Sequence, residues 1–354
     1  MDKIRKRALC AATGLALASG ITTQAALASV PVDLRVVSNE AGNLVDVRQY
    51  VPLTASVKTY SGDDCFDSTP PIKQSSGTTY PQASPTMLAA IAEAAQVKTE
   101  LQPFRVSDAD YSSFGALSVC QVGAKTPPGF FFLKANHQPL QVGADLFTVN
   151  PDEELLAYRT PDDFTADEEL ELTAAPRTAP GVPITVNVRA YTGTLGPREG
   201  ATVLGADAPA VTNVAGNATV SFAAPGLYAL FAGGAYNDIP SAPLSVCVAP
   251  DPLTACPAER GREILGSDEP EGIRGTDGDD VIRPRGGADS VKAREGNDRI
   301  ISQGGGRDAV NCGSGKDQVT RDGKDRVAKN CEKVLGKKVK RKKGKGKKKG
   351  GTKK

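Results

Sequence analysis

Six aspartates recur at a nearly constant spacing in the last quarter of the chain. Each follows a glycine by two residues, and the glycines are spaced by 9, 9, 10, 9 and 8 residues. Carboxylate oxygens are the ligands that hard divalent cations such as Ca²⁺ prefer in proteins. Carboxylates at such a regular spacing therefore predict a row of cation sites. The candidate metal ligands are Asp280, Asp289, Asp298, Asp308, Asp317 and Asp325.

The same repeat indicates the backbone that positions these aspartates. Each Asp is followed two residues later by Val or Ile, which gives about one apolar core residue per nine. The glycines permit left-handed turns that a side chain would obstruct. We therefore predict a coil with two turns and two short strands per lap, an apolar core and carboxylates on the outside of the turns. A weaker seventh copy, 266–274, precedes the six in phase.

The kernel Gly-x-Asp-x-(Val/Ile) resembles the hemolysin-type (RTX) nonapeptide, Gly-Gly-x-Gly-x-Asp-x-apolar-x, over about 60 residues. The resemblance implies a parallel β-roll, 266–335, with calcium as its cofactor. It also implies that laps two repeats apart share one ion through Asp carboxylates and turn carbonyls. Asp280 would then pair with Asp298, and Asp289 with Asp308, with calcium bound chiefly in the first laps.

The repeat departs from that family in two respects. The first Gly pair is mostly replaced, for example by Pro284-Arg285 and Ala293-Arg294, and a cation precedes three of the aspartates, at Arg307, Lys316 and Lys324. Such cations oppose a bound Ca²⁺ and offer the carboxylates salt-bridge partners. The competing interpretation is a roll held by its apolar core, Arg–Asp pairs and a disulfide, with little or no calcium.

The first 28 residues have the features of a secretory signal peptide. A basic segment, Lys3–Arg7, is followed by the apolar run Ala8–Ile21 and by the small-x-small site Ala26–Ala28. Six of the seven cysteines would remain after cleavage, and this even number suits an oxidising compartment. We therefore expect an extracellular protein that is secreted or cell-wall associated. Proximity favours the disulfides Cys65–Cys120, Cys247–Cys256 and Cys312–Cys331.

The segment 29–165 mixes helix and strand patterns and predicts a small α+β domain. Val32–Val37 alternates like a strand. Ser84 and Pro85 are predicted as the N-cap and first residue of an alanine-rich helix that continues to Ala95. Further strands are predicted at Leu117–Val122, Gly129–Ala135 and Glu153–Arg159, with 136–139 as a hairpin turn.

The aromatic hairpin Phe130–Asn136 and the strand Pro151–Tyr158 resemble a secreted bacterial domain grouped with the C-terminal β domain of transcobalamin-like proteins. In those relatives the domain covers a corrin ligand. The resemblance implies an alternative function, capture of a small molecule by the N-terminal domain.

The middle of the chain, 166–249, predicts a β-sandwich. Its strand-like segments alternate apolar and polar residues with a period of two, and Pro and Gly separate these segments. Val214–Val220 and Pro225–Tyr228 resemble bacterial Ig-like modules, which serve as spacers or adhesive units. Residues 250–265 are predicted as a linker. The fold class is therefore mainly β and multidomain.

Residues that could support catalysis are few. His137 is the only histidine, so any Ser-His-Asp or His-metal site would need it, and we expect it to be an exposed residue at a hairpin tip. The acidic runs Asp152–Glu154 and Asp162-Asp163 lie on polar turns without an aromatic sugar platform. The sequence therefore predicts a protein that is not an enzyme.

The last segment, 336–354, contains 12 Lys or Arg residues and no acid. Without this tail and the first 28 residues, 27 basic and 40 acidic residues remain. The tail is predicted to be disordered. In an exported protein its partners would be polyanionic wall polymers or acidic membrane surfaces, and no nucleic acid is expected. The leading hypothesis is a non-enzymatic surface or matrix protein with a calcium-binding roll.

Overall fold

A computed structural model gives the architecture of the chain. It describes residues 29–38, 42–63, 73–82, 85–124, 131–159, 168–234, 238–257 and 259–336. The predicted signal peptide, 1–28, and the basic residues 337–354 lie outside these ranges. The protein is mainly β, as predicted, and its described part comprises an α+β domain, a β-sandwich and a β-roll. None of the described helices is long and apolar enough to span a membrane.

The N-terminal domain packs one helix against a sheet. Its strands are β1 (Ser29–Ser38), β2 (Gly42–Pro52), β3 (Ala55–Lys58), β4 (Ser61–Asp63), β5 (Gln74–Ser76), β6 (Thr79–Gln82), β7 (Phe104–Ser107), β8 (Ser118–Val122), β9 (Phe132–Ala135), β10 (Gln138–Pro139) and β11 (Glu154–Arg159). Its helices are α1 (Met87–Val97) and α2 (Tyr111–Phe114), with a 3₁₀ turn at Thr99–Leu101.

Helix α1 begins later than the sequence suggested. Thr86 is the N-cap, because its side chain accepts the backbone N–H of Ala89. Pro85 therefore precedes the cap, and Ser84, the predicted cap, lies outside the described residues. The buried face of α1 packs on β1 and β2, whose inward residues include the buried Val32 and Leu34 of β1 and Val47 of β2.

The central β-sandwich consists of two five-stranded sheets. Its strands are β12 (Glu168–Ala174), β13 (Arg177–Thr178), β14 (Ile184–Tyr191), β15 (Leu195–Pro197), β16 (Thr202–Leu204), β17 (Ala210–Val211), β18 (Asn217–Val220), β19 (Gly226–Gly233), β20 (Asp238–Ile239) and β21 (Leu244–Val248). Val186, Phe222 and Leu230 fill the core between the sheets. The predicted Cys247–Cys256 disulfide is present and ties β21 to the short helix α3 (Pro252–Ala255).

The C-terminal region is a parallel β-roll with two sheets. Its strands are β22 (Glu263–Leu265), β23 (Gly272–Arg274), β24 (Val281–Arg283), β25 (Ser290–Lys292), β26 (Arg299–Ser302), β27 (Ala309–Asn311), β28 (Gln318–Arg321), β29 (Arg326–Val327) and β30 (Lys333–Leu335). Even-numbered strands form one sheet and odd-numbered strands the other. The Val and Ile of each repeat point into the core between them. The predicted Cys312–Cys331 disulfide closes the last laps.

The roll continues the sheet of the N-terminal domain. Strand β22 pairs in parallel with β2, so that one ten-stranded sheet runs from β10 to β30. Glu263–Leu265, which the sequence assigned to the linker 250–265, is therefore the first strand of the roll. The third predicted disulfide cannot be placed, because Cys65 lies outside the described residues.

Candidate functional site

The turns of the β-roll stack closely because their glycines have no side chain. A Cβ on Gly296 would lie 2.3 Å from the carbonyl oxygen of Gly278, and one on Gly315 would lie 1.8 Å from that of Gly296. Any other residue would force the laps apart. The glycines therefore set the close, in-register stacking that brings the repeat aspartates together.

The six predicted aspartates form two columns, one along each edge of the roll. Asp280, Asp298 and Asp317 make the first Asp column, in which the backbone N–H of Asp280 donates to Oδ1 of Asp298 at 2.9 Å and that of Asp298 to Oδ1 of Asp317 at 2.9 Å. Asp280 therefore lies beside Asp298, as the predicted pair requires.

The second Asp column, Asp289, Asp308 and Asp325, repeats this pattern. The N–H of Asp289 donates to Oδ1 of Asp308 at 3.0 Å, and that of Asp308 to Oδ1 of Asp325 at 3.2 Å. Asp289 likewise lies beside Asp308, as the second predicted pair requires. In both columns each carboxylate fixes the backbone of the lap before it.

The carboxylates do not lie on the outside of the turns. All six aspartates are buried, with exposed fractions between 0% and 6%. The expectation of outward carboxylates was wrong, because each side chain folds inward to accept the backbone N–H of the preceding lap. A buried carboxylate loses hydration and must be compensated by hydrogen bonds, a proton or a cation.

Two glutamates extend the columns and were not predicted. The N–H of Glu271 donates to Oδ1 of Asp289 at 2.9 Å, and Oε2 of Glu332 accepts the N–H of Asp317 at 2.8 Å. Both occupy the Asp position of weaker repeats, and each is followed two residues later by Ile or Val. Reading Glu as equivalent to Asp in the repeat would have found them.

In Asp280 and Asp325, the first and last of the six aspartates, the second carboxylate oxygen also accepts hydrogen bonds. Oδ2 of Asp280 accepts the backbone N–H of Thr276 at 2.7 Å. Oδ2 of Asp325 accepts the N–H of Asp322 at 3.0 Å and the hydroxyl of Ser302 at 3.2 Å. These two carboxylates thus have protein donors on both oxygens.

The four middle aspartates differ from the end ones. Oδ2 of each is buried and has no hydrogen-bond partner among the residues that the structure describes; they are Asp289, Asp298, Asp308 and Asp317. An unsatisfied buried oxygen of this kind costs free energy in a structure that has no compensating group. Two such oxygens occur in each column, on laps that are neighbours in space.

Burial also changes how readily these groups ionise. It raises the pKa of Asp289 to about 8 and that of Asp298 to about 7, with nearby carboxylates, Glu271 and Asp280 among them, adding to the effect. Burial is also the main cause that raises the pKa of Asp308 and Asp317. The middle of each column therefore favours the addition of positive charge, whether a proton or a metal ion.

Two arginines replace the second glycine of the repeat in the left-handed conformation. The φ angles of Arg285 and Arg294 are 72° and 88°, values that glycine adopts without strain. Each guanidinium reaches back one lap. Nη1 of Arg294 lies 3.5 Å from the carbonyl oxygen of Gly275, and its Nη2 lies 2.6 Å from Asp277.

Arg285 makes the equivalent contact on the other edge, with Nη1 3.4 Å from the carbonyl oxygen of Gly266, and it also pairs with Glu93 of α1 at 2.6 Å. Lys324 Nζ donates to the carbonyl of Gly305 at 3.1 Å. Protein cations therefore occupy some turn carbonyls. In the described part of the chain no ion pair joins Arg307, Lys316 or Lys324 to an Asp column.

The donor set at the middle of the columns fits Ca²⁺ in its chemistry. Ca²⁺ binds hard oxygen ligands and accepts carboxylates together with backbone carbonyls. Asp298 and Asp317 would hold an ion on one edge, and Asp289 and Asp308 on the other. No cluster of three or more His, Cys, Asp or Glu side chains suited to a metal is found within the described ranges, so turn carbonyls would supply the remaining ligands.

A second candidate site lies where the three domains meet. A cavity of about 440 Å³ is lined by charged residues of β1, β11 and β12, including Arg35, Glu154 and Glu169, and by Arg262 at the start of the roll. Arg35 pairs with Glu169 at 2.9 Å, and Arg262 pairs with Asp33 at 2.9 Å. The cavity is large enough for a small ligand, but it lies between domains and not within the N-terminal one.

His137 borders this cavity and is not an exposed hairpin residue. The hairpin is present, since Asn136 and His137 form the two-residue turn between β9 and β10 with φ of 47° and 65°. The imidazole nevertheless contacts Glu154 at 3.1 Å and Glu169 at 3.2 Å and stacks on Tyr191. Hydrogen bonds to Glu154 and then Glu169 raise the pKa of His137 to about 9. The expectation failed because the neighbouring β-sandwich covers the turn.

Comparisons of the chain with protein-family models, with curated proteins and with solved structures find no match. The three family resemblances drawn from the sequence thus stay predictions. Within the described residues, the Asp columns and the charged cavity are the two candidate sites from which a function can be proposed.

Proposed function

We propose that this protein is an exported, non-enzymatic scaffold whose β-roll binds Ca²⁺ in the middle laps of its two Asp columns. Bound Ca²⁺ would supply the positive charge that the buried carboxylates lack. The ion would neutralise each column and tie successive laps together. The proposed role is therefore mechanical, a rod that is rigid at extracellular calcium concentrations.

One observation carries this proposal. Four buried Oδ2 atoms, those of Asp289, Asp298, Asp308 and Asp317, are unpaired in the described structure. Structural carboxylates usually have partners on both oxygens, as Asp280 and Asp325 have here. The contrast between middle and end positions of the same motif favours a site for a cation.

The contrast between the middle and end aspartates also changes which laps we propose as calcium sites. The sequence pointed to the first laps, since Asp277 and Asp279 add negative charge there. In the structure, Asp277 is engaged by Arg294, and the carboxylate of Asp280 is fully hydrogen-bonded. We therefore propose the pairs Asp298–Asp317 and Asp289–Asp308.

Export and attachment complete the proposal. Two disulfides are formed within the described residues, which suits an oxidising environment. The basic tail 337–354 would then contact polyanionic wall polymers or acidic membrane surfaces. This part of the proposal is based only on the composition of the tail. Small-molecule capture is the second candidate function, and the interdomain cavity beside His137 is the observation that favours it.

Competition with a fluorescent chelator on the full chain tests calcium binding. We expect saturable binding with a dissociation constant of about 10⁻⁴–10⁻³ M, the range of extracellular calcium modules. Asp308→Asn should lower the number of bound ions, whereas Asp325→Asn in the same column should leave it unchanged. Equal losses in both variants, or no saturable binding in the wild type, would refute the proposal.

A further inference from the structure

The odd-numbered strands of the β-roll present a flat outer face to solvent. Along β23, β25 and β27 the residues alternate between the core and this face. Arg274 and Lys292 are outward and in register on adjacent strands. Arg326 on β29 is outward and pairs with Ala309 on β27. With strands about 4.8 Å apart, the three cations extend over roughly 15 Å.

The face is basic on a body that is acidic. None of the outward residues on these four strands is Asp or Glu, although acidic residues outnumber basic ones by 40 to 27 between residue 29 and the tail. The side chains of Arg274, Lys292 and Arg326 make no hydrogen bond or ion pair with any other described residue. Their charge is therefore available to a partner.

The other outward residues make the face smooth. Gly272, Ser290 and Ala309 are small, and a shallow depression of about 300 Å³ runs across β25, β27 and β29 between the cations. An extended chain can lie in such a depression and meet the cations in turn. The outward strand residues include no large apolar side chain that could enter a bilayer, so the shape and composition favour a polymer over a membrane.

We propose that this face, Arg274, Lys292, Arg326 and the small residues between them, binds a linear polyanion along the roll. The cations release counterions from the polymer, so the interaction is steeply salt-dependent. The face is separate from the Asp columns, which lie on the turns. This inference therefore does not rest on calcium binding, nor on the basic tail.

Equilibrium binding of heparin, as the probe polyanion, tests the proposal in the protein lacking 337–354. The triple variant Arg274→Gln, Lys292→Gln and Arg326→Gln should bind roughly tenfold or more weakly, and the slope of log K against log salt should fall by about two to three. The single variant Lys292→Gln should show a smaller loss in the same direction. The positions are exposed, and an unchanged melting temperature confirms that the variants fold.

A matched control removes the same charge elsewhere on the roll. Arg299→Gln, Lys329→Gln and Lys333→Gln lie on the other sheet or on a turn, and this variant should retain binding. Equal weakening in both triple variants would show that net charge alone is responsible and would overturn the proposal. It would also be overturned if the tailless protein did not bind heparin, or bound phosphatidylglycerol vesicles more tightly than heparin through the same three residues.

Discussion

Tyr50 and Leu265 lie on adjacent parallel strands, and each is buried in the core of the other's domain. Tyr50 of β2 packs among the apolar residues of the roll, and its hydroxyl donates to the carbonyl of Gly272 at 3.4 Å. Leu265 of β22 is fully buried in the core beneath α1. The N-terminal domain thus caps the first lap of the roll and supplies a strand on which the roll can stack.

Because each domain contributes a side chain to the core of the other, we predict that the two domains unfold together. Leu265→Ala should destabilise both by about 2–5 kcal/mol, as for other large-to-small changes in a core. Leu335→Ala, at the exposed far end of the same sheet, should have a much smaller effect. Urea unfolding followed by circular dichroism and tyrosine fluorescence checks this. Two separate transitions, with only one shifted by Leu265→Ala, would show that the cap is not coupled to the roll.

His137 offers a direct test of the domain interface. Because it is the only histidine, its imidazole resonance can be followed without assignment during a pH titration. We expect a pKa near 9, set by Glu154 and Glu169, and Glu169→Gln should lower it. The raised pKa means that this contact stabilises the fold fully below pH about 6.5 and loses its effect as the pH rises through about 9. A titration near 6.5 would indicate an exposed hairpin.

The repeat was sufficient to predict the roll. Each repeat contains a Gly, an Asp and an apolar residue, and each of the three has one physical role in the observed coil. Glycines such as Gly296 allow the turns to stack closely, and apolar residues such as Ile300 fill the core. Local spacing therefore predicted the six aspartates and the coil that carries them, whereas the pairs Asp280–Asp298 and Asp289–Asp308 came from the resemblance to the RTX repeat. It also predicted the Cys312–Cys331 disulfide, because proximity in sequence is proximity in a coil.

The remaining features depend on contacts that no local pattern contains. The inward turn of the carboxylates follows from backbone N–H groups of another lap, 17 to 19 residues away. His137 is covered by β14, which lies much later in the chain. The strand at Glu263–Leu265 forms because β2 offers it an edge. Such long-range partners cannot be read from composition or periodicity.

Arg294 is predicted to oppose calcium binding and to strain the backbone. Arg294→Gly should relieve a left-handed conformation that costs about 1–2 kcal/mol, against the loss of a half-exposed ion pair with Asp277 of about 1 kcal/mol or less. Its thermal stability should therefore be equal or higher, and calcium affinity should increase. Arg294→Ala, which removes the charge but keeps the strain, should gain affinity and lose stability. Unchanged affinity in both would mean that the positive charge of Arg294 does not weaken calcium binding at the Asp298–Asp317 site.

The pH dependence of stability without calcium follows from the raised pKa values. Because the pKa of Asp289 is about 8 and that of Asp298 about 7 in the folded state, against 3.8 when unfolded, folding takes up protons between pH 4 and 8. Stability should thus fall as the pH rises through this window. Each 1 kcal/mol corresponds to roughly 2–4 °C in melting temperature. Scans in chelator at pH 5, 6.5 and 8 measure this, and Asp289→Asn should flatten the profile.

The most direct test of the account is the calcium-dependent rise in melting temperature of two first-column variants at pH 8. Asp298→Asn removes an oxygen that has no hydrogen-bond partner among the described residues, whereas Asp280→Asn changes a carboxylate that is fully hydrogen-bonded. We predict that Asp298→Asn loses a large part of the calcium-dependent rise in melting temperature seen in the wild type. Asp280→Asn should keep this rise, even if its melting temperature in chelator differs from that of the wild type. Equal increments in the wild type and Asp298→Asn, or a wild type that melts at the same temperature in calcium and in chelator, would contradict the proposal that the unpaired aspartates bind calcium.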